Sequence, residues 1–564
     1  MTANWIRFGC SRGRLARTML SSVVAAVGVM PLTATAQVSI QQGTGVAAAP
    51  FVRQLDSIPQ MPRSEQHPQA LPRRVPDPAA LAARQAQAAQ LRFTPAAKAL
   101  ALPASAAPAK KPSVFTPGAS VGVISTGQAA CGGVRPADQA IAVGDAPIGV
   151  LQVINVCVDV FSKPGVLQPG YPKSLTTFFG LPPGTPTSDP RALYDWINHR
   201  YVVVMIQFDR FQNTTSSYWI AVSTGDNATG GYCFYNLGVQ SVAPAGPGAF
   251  PLPDYPRLGQ DRQAFYLASN VFNTPTTYKW EEWLVLPKAQ MYACQGFGFP
   301  FFFNPTFNGH PTDTTQPVNV FNPGDDPSSE FLITSKNFFE PDPKNGLIVW
   351  SIHSPLSSPT AANVTAGTAN NYSTPPLASQ PGGANTIDGF DNRISGMSFF
   401  NAGSIYASVN TNGGSGAPAF LLYQVQPFVD ASGNITSARM LDEIFVGNAN
   451  SWWFATQQPD TAGNVTTVFN FSGSSNFASL AYMSRRASQT PGTIPDLGFI
   501  LVGGQAFYGQ FSWGDYTAVA PGGIASGGGP GIFPVMFFAG MWAQGDGTWG
   551  TAWGKNGFTD ISQP

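Results

Sequence analysis

Carboxylates placed beside aromatic and basic residues are the groups in this sequence that could carry chemistry. Three phrases set acidic residues ahead of a basic residue and a strand-like apolar run: DPRALYDWINHRYVV (189–203), DYPRLGQDRQAFYLAS (254–269) and DGFDNRISGMSFF (388–400). A carboxylic acid and a second carboxylate about 5–10 Å apart can together cleave a glycosidic bond. The weak catalytic candidates are therefore Asp254, Asp388, Asp391 and Asp515, with Asp189 and Asp195 as further members of the set.

Aromatic and basic neighbours of these carboxylates suit ligand recognition, because pockets combine aromatic walls with a few polar groups. The candidate ligand-binding residues are Tyr255, Arg393, Trp513 and Tyr516. The acidic–basic pattern also has a structural explanation, since Asp in a turn accepts backbone hydrogen bonds and Arg pairs with a carboxylate. Because the pattern recurs in three phrases, we expect a structural role for most of its members.

Metal and cofactor signals are weak in this sequence. The four histidines have no two members at helical or strand spacing, which argues against a histidine-rich metal site. Oxygen-rich turns at 322–330 and 387–392 could hold a structural Ca²⁺, although neither matches an EF-hand loop. We expect no cofactor, and the identity of any metal stays unknown.

The cysteines point to an oxidising compartment. Cys10 precedes an apolar run, and four cysteines remain beyond it: Cys131, Cys157, Cys233 and Cys294. An even number in an exported chain predicts two disulfides, for which three pairings exist. We favour Cys131–Cys157 and Cys233–Cys294, because each pair would link neighbouring strands.

The N-terminal region combines an export signal with a basic arm. Four arginines precede the apolar run at 19–30, and Ala34-Thr35-Ala36 follows it, so residues 1–36 are predicted to be a signal peptide. Residues 37–115 are rich in Pro, Ala and Gln and form an arm or linker, with one helix predicted over 76–93. The protein is therefore expected to be secreted, periplasmic or held at the cell surface, with no transmembrane segment after signal removal.

Composition restricts the fold and the partners. Charged residues make up only 11% of the 564, aromatics reach 12%, and Gly and Pro number 59 and 51. Residues 1–115 contain 13 of the 30 basic residues and three of the 30 acidic ones, so a basic arm precedes an acidic body. Nucleic-acid binding needs concentrated positive charge, and we therefore expect no nucleic-acid partner.

From residue 116 onward, the sequence alternates strand-length runs with turn residues. Examples are RYVVVMIQF (200–208), SYWIAVST (217–224) and GLIVWSIHS (346–354). The runs group into units of about 45–55 residues, close to the period of propeller blades. We predict an all-β fold over 116–564, a β-propeller of about seven blades that start near residues 136, 189, 254, 330, 387, 442 and 514. A pair of β-sandwiches is the alternative.

The phrases DPRALYDWINHRYVV, PDYPRLGQDRQAFYLASNVF, SQPGGANTIDGFDNRISGMSFF and WGDYTAV resemble a family of secreted bacterial β-propeller proteins. The resemblance covers roughly residues 136–556 and implies a propeller and export, but no catalytic residues. This sequence departs from the family in carrying Ser512, instead of Arg, before the Trp-Gly-Asp-Tyr phrase.

Three functions are compatible with these features. The favoured one is a non-catalytic propeller that binds an extracellular glycan or a cell-surface protein through its loop face. The first alternative is a polysaccharide hydrolase or lyase that uses Asp residues near the propeller axis. The second is a structural, envelope-associated protein whose basic arm docks on the acidic body or on an anionic surface.

Overall fold

The fold is described here from a computed structural model of the chain. It describes residues 39–65, 71, 74–92, 123–208, 216–240, 251–273, 277–382, 385–493, 499–523 and 535–557. The predicted signal peptide and the boundary between arm and body at residue 115 lie outside these ranges. Among the described residues, no helix is both long and apolar enough to cross a bilayer.

The described part of the arm contains two strands, a short 3₁₀ turn at Leu55–Ser57 and one helix. Strand β1 (Ser39–Ala47) and strand β2 (Phe51–Gln54) precede the turn, and helix α1 (Pro78–Ala88) follows it. Asp77 caps α1 by accepting a hydrogen bond from the Ala80 N–H at 3.0 Å, and Pro78 occupies the first helical position. The predicted helix is confirmed, over a shorter range than 76–93.

The body is built of strands, as the alternation of apolar runs and turn residues predicts. Strand β3 (Val123–Gly127) opens it. The following strands form antiparallel four-stranded units, whose bounds are β4 Ala140–Val143, β5 Val150–Ile154, β6 Cys157–Phe161 and β7 Lys173–Ser174 in unit one; β8 Thr187–Asp195, β9 Arg200–Gln207, β10 Ser217–Ser223 and β11 Gly231–Gly238 in unit two; β12 Pro251–Gln260, β13 Ala264–Asn273, β14 Thr277–Pro287 and β15 Phe297–Phe307 in unit three, extended by β16 His310–Pro311.

The second half of the body repeats this arrangement. Its strands are β17 Gln316–Val320, β18 Glu330–Ser335, β19 Leu347–His353 and β20 Thr360–Ala366 in unit four; a separate ribbon of β21 Ala378–Ser379 and β22 Asn385–Ile387; β23 Ser398–Asn401, β24 Ser404–Asn412, β25 Pro418–Val429 and β26 Ile435–Val446 in unit five; β27 Ser451–Pro459, β28 Val465–Gly473, β29 Asn476–Arg485 and β30 Phe499–Val502 in unit six; and β31 Ala518–Pro521, β32 Val535–Ala543 and β33 Trp549–Gly557 in unit seven. Short helices α2 (Leu175–Phe178) and α3 (Lys288–Tyr292) connect strands.

These units form a closed ring. The first strands of successive units are neighbours all the way round, from β4 through β8, β12, β17, β23 and β27 to β31, which lies beside β4 again. Strand β3 pairs with β33 and supplies the outermost strand of unit seven, so the two ends of the body share one sheet. Four-stranded sheets arranged around a central axis define a β-propeller, and the predicted all-β propeller fold is confirmed. The described residues contain seven such units.

The predicted unit boundaries are accurate in some places and wrong in others. First strands β8 and β12 begin within three residues of the predicted starts at 189 and 254. The start predicted at 330 is wrong, because Glu330 opens the second strand of unit four and the first strand is β17. The start predicted at 442 is also wrong, since that position lies in β26. The polar and proline-containing run QPVNV of β17 lacks the apolar signature that marks the later strands.

Hydrogen bonds from asparagines join successive units. Asn155 accepts from the Asp189 N–H at 2.9 Å, Asn270 from the Thr314 N–H at 3.0 Å and Asn410 from the Phe454 N–H at 3.0 Å. Each asparagine lies in or just after the second strand of one unit, and each N–H belongs to the start of the next unit. A repeated bond of this kind fixes the angle between blades, because the buried N–H needs a partner.

Both expected disulfides are present. Cys131 is bonded to Cys157 and Cys233 to Cys294, with Cα–Cα distances of 5.6 and 5.7 Å. The first disulfide links the loop before unit one to β6. The second links Cys233 of β11 to Cys294, which lies two residues after the end of α3. The second bond therefore joins units two and three.

Candidate ligand site at the upper face

The direction of the first strands brings the predicted residues to one end of the ring. Strands β12, β17 and β23 pair in parallel, so their N-terminal ends lie on the same side, which we call the upper face. The predicted residues lie at or just before these N-terminal ends: Asp189 in β8, Asp254 and Tyr255 in β12, Asp388, Asp391 and Arg393 before β23, and Trp513, Asp515 and Tyr516 before β31. Residues far apart in sequence are gathered because each unit contributes the same position.

Six of these residues form what we call the axial cluster: Asp189, Asp254, Tyr255, Arg393, Asp515 and Tyr516. The rings of Tyr255 and Tyr516 lie 5.1 Å apart, and the Arg393 guanidinium lies 4.3 Å from the Tyr255 ring. The Tyr255 N–H donates to Asp189 at 3.2 Å. All six side chains belong to residues that are at most 5% exposed.

Arg191, which was not among the predicted residues, completes the stacking. Its guanidinium lies 3.2 Å from the centre of the Tyr516 ring and 5.3 Å from that of Tyr255. Its Nε donates to the Pro256 carbonyl at 2.7 Å. Cations over aromatic faces are attracted by the ring quadrupole, and more so when both are removed from water.

Several polar atoms of this region have no hydrogen-bond partner within the described residues. They are the hydroxyls of Tyr255 and Tyr516, Nη2 of Arg191 and Nη1 of Arg393. Buried polar groups normally find partners, and each exception costs about 1–3 kcal/mol. The upper end of the axis therefore has hydrogen-bonding capacity that the surrounding side chains do not use.

The carboxylates at the axis have shifted acidities. Burial, followed by the negative charge of Asp515, raises the pKa of Asp189 to about 6. Burial and the charge of Asp189 raise the pKa of Asp254 well above its ordinary value, against the opposing charges of Arg74 and Arg393. A carboxyl group that keeps its proton near neutral pH beside an ionised one has the elements of an acid–base pair.

Asp391 and Asp388 both accept hydrogen bonds from neighbouring residues of the fold. Asp391 receives two bonds from Arg393, Nε at 2.8 Å and Nη2 at 2.9 Å. Burial alone would raise the pKa of Asp391, but the charge and hydrogen bonds of Arg393 outweigh it and lower that pKa below its ordinary value. Asp388 accepts from the Phe390 N–H at 2.9 Å and from Gln85 of the arm at 2.8 Å.

The later residues of the first phrase, Asp195 and Arg200, lie outside the axial cluster. Asp189 and Asp195 bracket β8, and six residues of strand place them about 20 Å apart. Asp195 pairs with Lys288 at 2.7 Å, and Arg200 bonds the carbonyls of Asn198 and His199. The expected fork of Arg onto the acidic residue is therefore found in the third phrase, as Asp391–Arg393, and not for Arg200.

The arm covers the upper face. We call Leu71 together with residues 74–88 the strap. The Leu71 N–H donates to Ser188 at 3.1 Å, while Val75 and Leu81 are buried in the same apolar group as Tyr255 and Tyr516. Asp254 and Asp189 interact electrostatically with Arg74, opposing the burial that lowers its pKa. The axial cluster is thus closed from above by the chain itself.

Trp513 and the apolar side chains further along the axis enclose the site on its other sides. Trp513 is fully buried and packs its ring 5.9 Å from that of Trp453 and 4.7 Å from that of Tyr508. Further along the axis, the lining includes Ala192, Phe399 and Val519 around a cavity of about 10 Å³. A volume of this size holds at most one water molecule.

An open groove lies on the upper face where the arm meets the body. Its volume is about 440 Å³, and α1 forms one wall. The lining residues are Arg84, Gln87, Ala88, Leu91, Asp342, Pro343, Asn371, Tyr372, Ser373 and Thr374. Ligand pockets typically have volumes of about 300–1,000 Å³ and combine apolar walls with a few polar groups.

The oxygen-rich turns proposed for Ca²⁺ are engaged in hydrogen bonds and ion pairs. Asp325 accepts from the Ala402 N–H at 3.1 Å, and Asp326 pairs with Arg262 at 3.1 Å. Within the described residues, His, Cys, Asp and Glu side chains form no group of three or more that could hold a metal ion.

Comparison with known proteins gives structural similarity alone. No protein-family model matches the chain, and no curated protein matches it. A protein of unknown function from Dyadobacter fermentans is similar over 66% of this chain and 94% of its own, at 8% identity and a TM-score of 0.29. A GH43 endo-arabinanase from Bacillus licheniformis is similar over 62% and 93%, at 13% identity and a TM-score of 0.25. An ulvan lyase is similar over 75% and 93%, at 10% identity and a TM-score of 0.29. Scores this low carry no weight for function, and the propeller is established by the strand topology.

Sequence reasoning missed Arg191 and Arg257, whereas docking of the basic arm on the acidic body was part of its second alternative. Arg191 and Arg257 each follow a proline shortly after the first Asp of their phrase, and this shared Pro-Arg pair was a usable signal. Arg257 is fully buried and bonds Glu281 at 2.7 Å. The opposite charges of arm and body suggested such docking, but no local pattern identified Arg74 and Gln85 as the residues that make the contacts.

Proposed function

We propose that this protein is an exported, non-catalytic propeller that binds an extracellular glycan in the groove between α1 and the body. The observation that carries the proposal is the contrast between the two sites on the upper face. The carboxylates of the axial cluster are buried under the strap, whereas the groove of about 440 Å³ is open.

The lining of the groove suits hydroxyl groups better than it suits catalysis. Asp342 is the single carboxylate among its described lining residues, and it is bonded to Lys344 and to the Thr374 N–H. Glycosidic cleavage by two carboxyl groups needs a second one nearby. Gln87 and Asn371 are exposed on the two walls of the groove, and their amide groups match sugar hydroxyls; the Asn371 oxygen also accepts from the Asn345 amide at 3.2 Å.

Export and family membership belong to the same proposal. They are supported by the leader-like residues 1–36, by the resemblance to secreted bacterial propellers and by the two disulfides, which suit an oxidising compartment. A cell-surface protein recognised by the same loops is the other form of this binding function.

A binding experiment on the mature chain, residues 37–564, tests the proposal. A glycan array identifies a ligand, and calorimetry then compares Gln87→Ala and Asn371→Ala with the unchanged chain. We expect each variant to bind about five- to tenfold more weakly, since each loses a hydrogen bond. Gln90→Ala is the matched control, because Gln90 is an exposed glutamine just after α1 that does not line the groove. Unchanged binding in both groove variants, or turnover of the glycan, would overturn the proposal.

A polysaccharide hydrolase or lyase is the second candidate, favoured by the raised pKa values of Asp189 and Asp254 in one cluster. Activity would be screened on plant and bacterial polysaccharides and then in Asp254→Asn and Asp515→Asn. Loss of about a hundredfold or more in either variant would support acid–base catalysis at the axis. Undiminished activity in both variants excludes these residues.

A further inference from the structure

The propeller ring is complete without the arm. Strand β3 closes the ring by pairing with β33, and it follows the arm in the sequence. The first strands of the units surround the axis with no contribution from residues 39–92. The strap therefore lies on a surface that the body forms by itself.

Apolar contacts seat the strap on this surface. Val75 and Leu81 are 5% and 7% exposed and belong to one buried group with Tyr255, Phe390 and Trp453. These body residues come from units three, five and six. A short segment thus bridges several blades across the axis.

Directional bonds add specificity to the apolar contacts. The Gln85 amide donates to Asp388 at 2.8 Å and to the Phe390 carbonyl at 3.1 Å. Asn412 donates to the Ala88 carbonyl at 2.9 Å, which is a bond to the C-terminal end of α1. Arg84 donates to the Phe338 carbonyl at 3.2 Å and lies 5.2 Å from the ring of the same residue.

The charges of the strap complement those of the body surface on which it lies. Arg74 interacts electrostatically with Asp254 and Asp189, two carboxylates of the axial cluster. The strap contains two arginines and the capping Asp77 and belongs to a basic arm, whereas the body is acidic. Complementary charge of this kind speeds encounter and rejects segments of the wrong sign.

We infer that the upper face is a protein-docking surface, occupied here by the strap, whose partner is a basic segment with the strap's own pattern. That pattern is an arginine that interacts with Asp189 and Asp254, followed by a short helix that begins at Asp-Pro and presents an apolar residue and a glutamine to the body. The inference does not depend on glycan binding in the groove. The strap is tethered to the body, and a partner must compete with this local concentration, which is of millimolar order for short flexible tethers.

A peptide that reproduces residues 71–92 tests the inference. Fluorescence anisotropy would measure its binding to the full chain and to a Leu81→Asp variant, in which the strap's apolar anchor carries a charge. Hydrogen exchange of α1 amides in the same variant reports whether the strap has left its seat, and Gln85→Ala provides a milder second variant. We expect the peptide to bind Leu81→Asp at least about tenfold more tightly than the unchanged chain, because the tethered competitor is weakened.

Matched peptides separate the docking surface from nonspecific attraction. Replacing Arg74 by Glu in the peptide should weaken binding by about tenfold, and a scrambled peptide of equal charge should not bind. Equal binding of the scrambled peptide would overturn the inference. The inference would also be overturned if α1 amides exchange fast, which shows that the strap is released, and the peptide still does not bind to the exposed surface. If neither variant releases the strap, the arm is an integral part of the propeller and the inference fails.

Discussion

Buried Asp159 illustrates how single residues set the pH response of this propeller. It lies in β6, accepts a bond from the Thr126 hydroxyl, and its Oδ1 has no hydrogen-bond partner within the described residues. Burial raises its pKa to about 7. Because the folded protein holds this proton more tightly than the unfolded chain, the residue's favourable contribution is complete below about pH 4 and is lost as pH rises through 7.

Asp159→Asn should therefore stabilise the protein clearly more at pH 8 than at pH 5. The amide keeps an acceptor for Thr126 without a charge to bury, and we expect a gain of about 1–3 kcal/mol in the free energy of unfolding at pH 8. Chemical denaturation at both pH values measures it. Asp391→Asn is the contrasting control, since the pKa of Asp391 is lowered and this change should destabilise at both pH values. A gain that is equal at pH 5 and pH 8 would contradict the explanation.

The Asp391–Arg393 pair is the charged interaction that anchors Arg393 in the axial cluster. Both residues are buried and joined by two hydrogen bonds. Arg393→Met should lower the free energy of unfolding by about 3–5 kcal/mol, because it leaves a carboxylate buried without its partner. The double change with Asp391→Asn should recover part of that loss. Chemical denaturation of the single and double variants tests both expectations. Arg439→Met, at an exposed arginine on β26, is the control. Additive losses in the double variant would disprove the coupling.

At the scale of elements, the innermost strands share a local conformation. Asp189, Tyr255 and Phe390 have φ values of 56°, 56° and 70°, in the left-handed region. Asp189 and Tyr255 lie within the first five residues of β8 and β12, and Phe390 lies in the segment that leads to β23. Such residues cost of order 1–2 kcal/mol each. The conformation recurs with three different side chains, so it belongs to the repeat and not to one catalytic residue.

The helix of the strap depends on its N-cap. Asp77→Ala removes the hydrogen bond to the Ala80 N–H and should destabilise α1 by about 1 kcal/mol. This loss corresponds to about fivefold faster amide exchange within the helix. Hydrogen exchange followed by mass spectrometry measures the change. Asp77→Asn keeps a capping oxygen and should leave exchange nearly as it is. Equal acceleration in both variants would show that charge, and not the cap, holds the helix start.

At the scale of the whole molecule, the two disulfides restrain the ring differently. Cys131–Cys157 spans 26 residues of sequence, whereas Cys233–Cys294 spans 61 and joins two units. Loop-closure entropy predicts a loss of about 3.5 kcal/mol for Cys131→Ser with Cys157→Ser and about 4 kcal/mol for Cys233→Ser with Cys294→Ser. Thermal and denaturant unfolding of the two double variants compare them. A clearly larger loss from the shorter loop would show that packing at Cys131 outweighs chain entropy.

The arm changes how the molecule as a whole presents its acidic face. Strand β1 extends unit three by pairing with β15, and β2 extends unit two by pairing with β11. The strap then crosses the axis to units four and five, where Arg84 and Gln85 make their bonds. The basic arm and the acidic body are therefore two parts of one packed surface.

Local patterns in the sequence determined the fold class and the capped helix, whereas the favoured cysteine pairs were one of three possible pairings until the structure showed them. Strand-length apolar runs, turn residues and the Asp77-Pro78 start report on conformation within a few residues, which is the range over which such patterns act. The boundary of unit four escaped this reasoning because β17 is polar and contains a proline. The unit starts near 189 and 254 were visible because Asp189 and Asp254, which lie within the first four residues of β8 and β12, belong to the recurring acidic–basic phrases.

Only the tertiary structure decided which side chains meet. The sequence treated Asp189 and Asp195 as one set, but β8 holds them at opposite ends of a strand, whereas the ring brings Asp189, Tyr255 and Tyr516 together. It likewise placed the arm outside the domain, although Gln85 bonds Asp388 across 303 positions. The physical reason is that ring closure and burial depend on contacts between distant segments, and charges such as Arg74 find their partners only after those segments have packed.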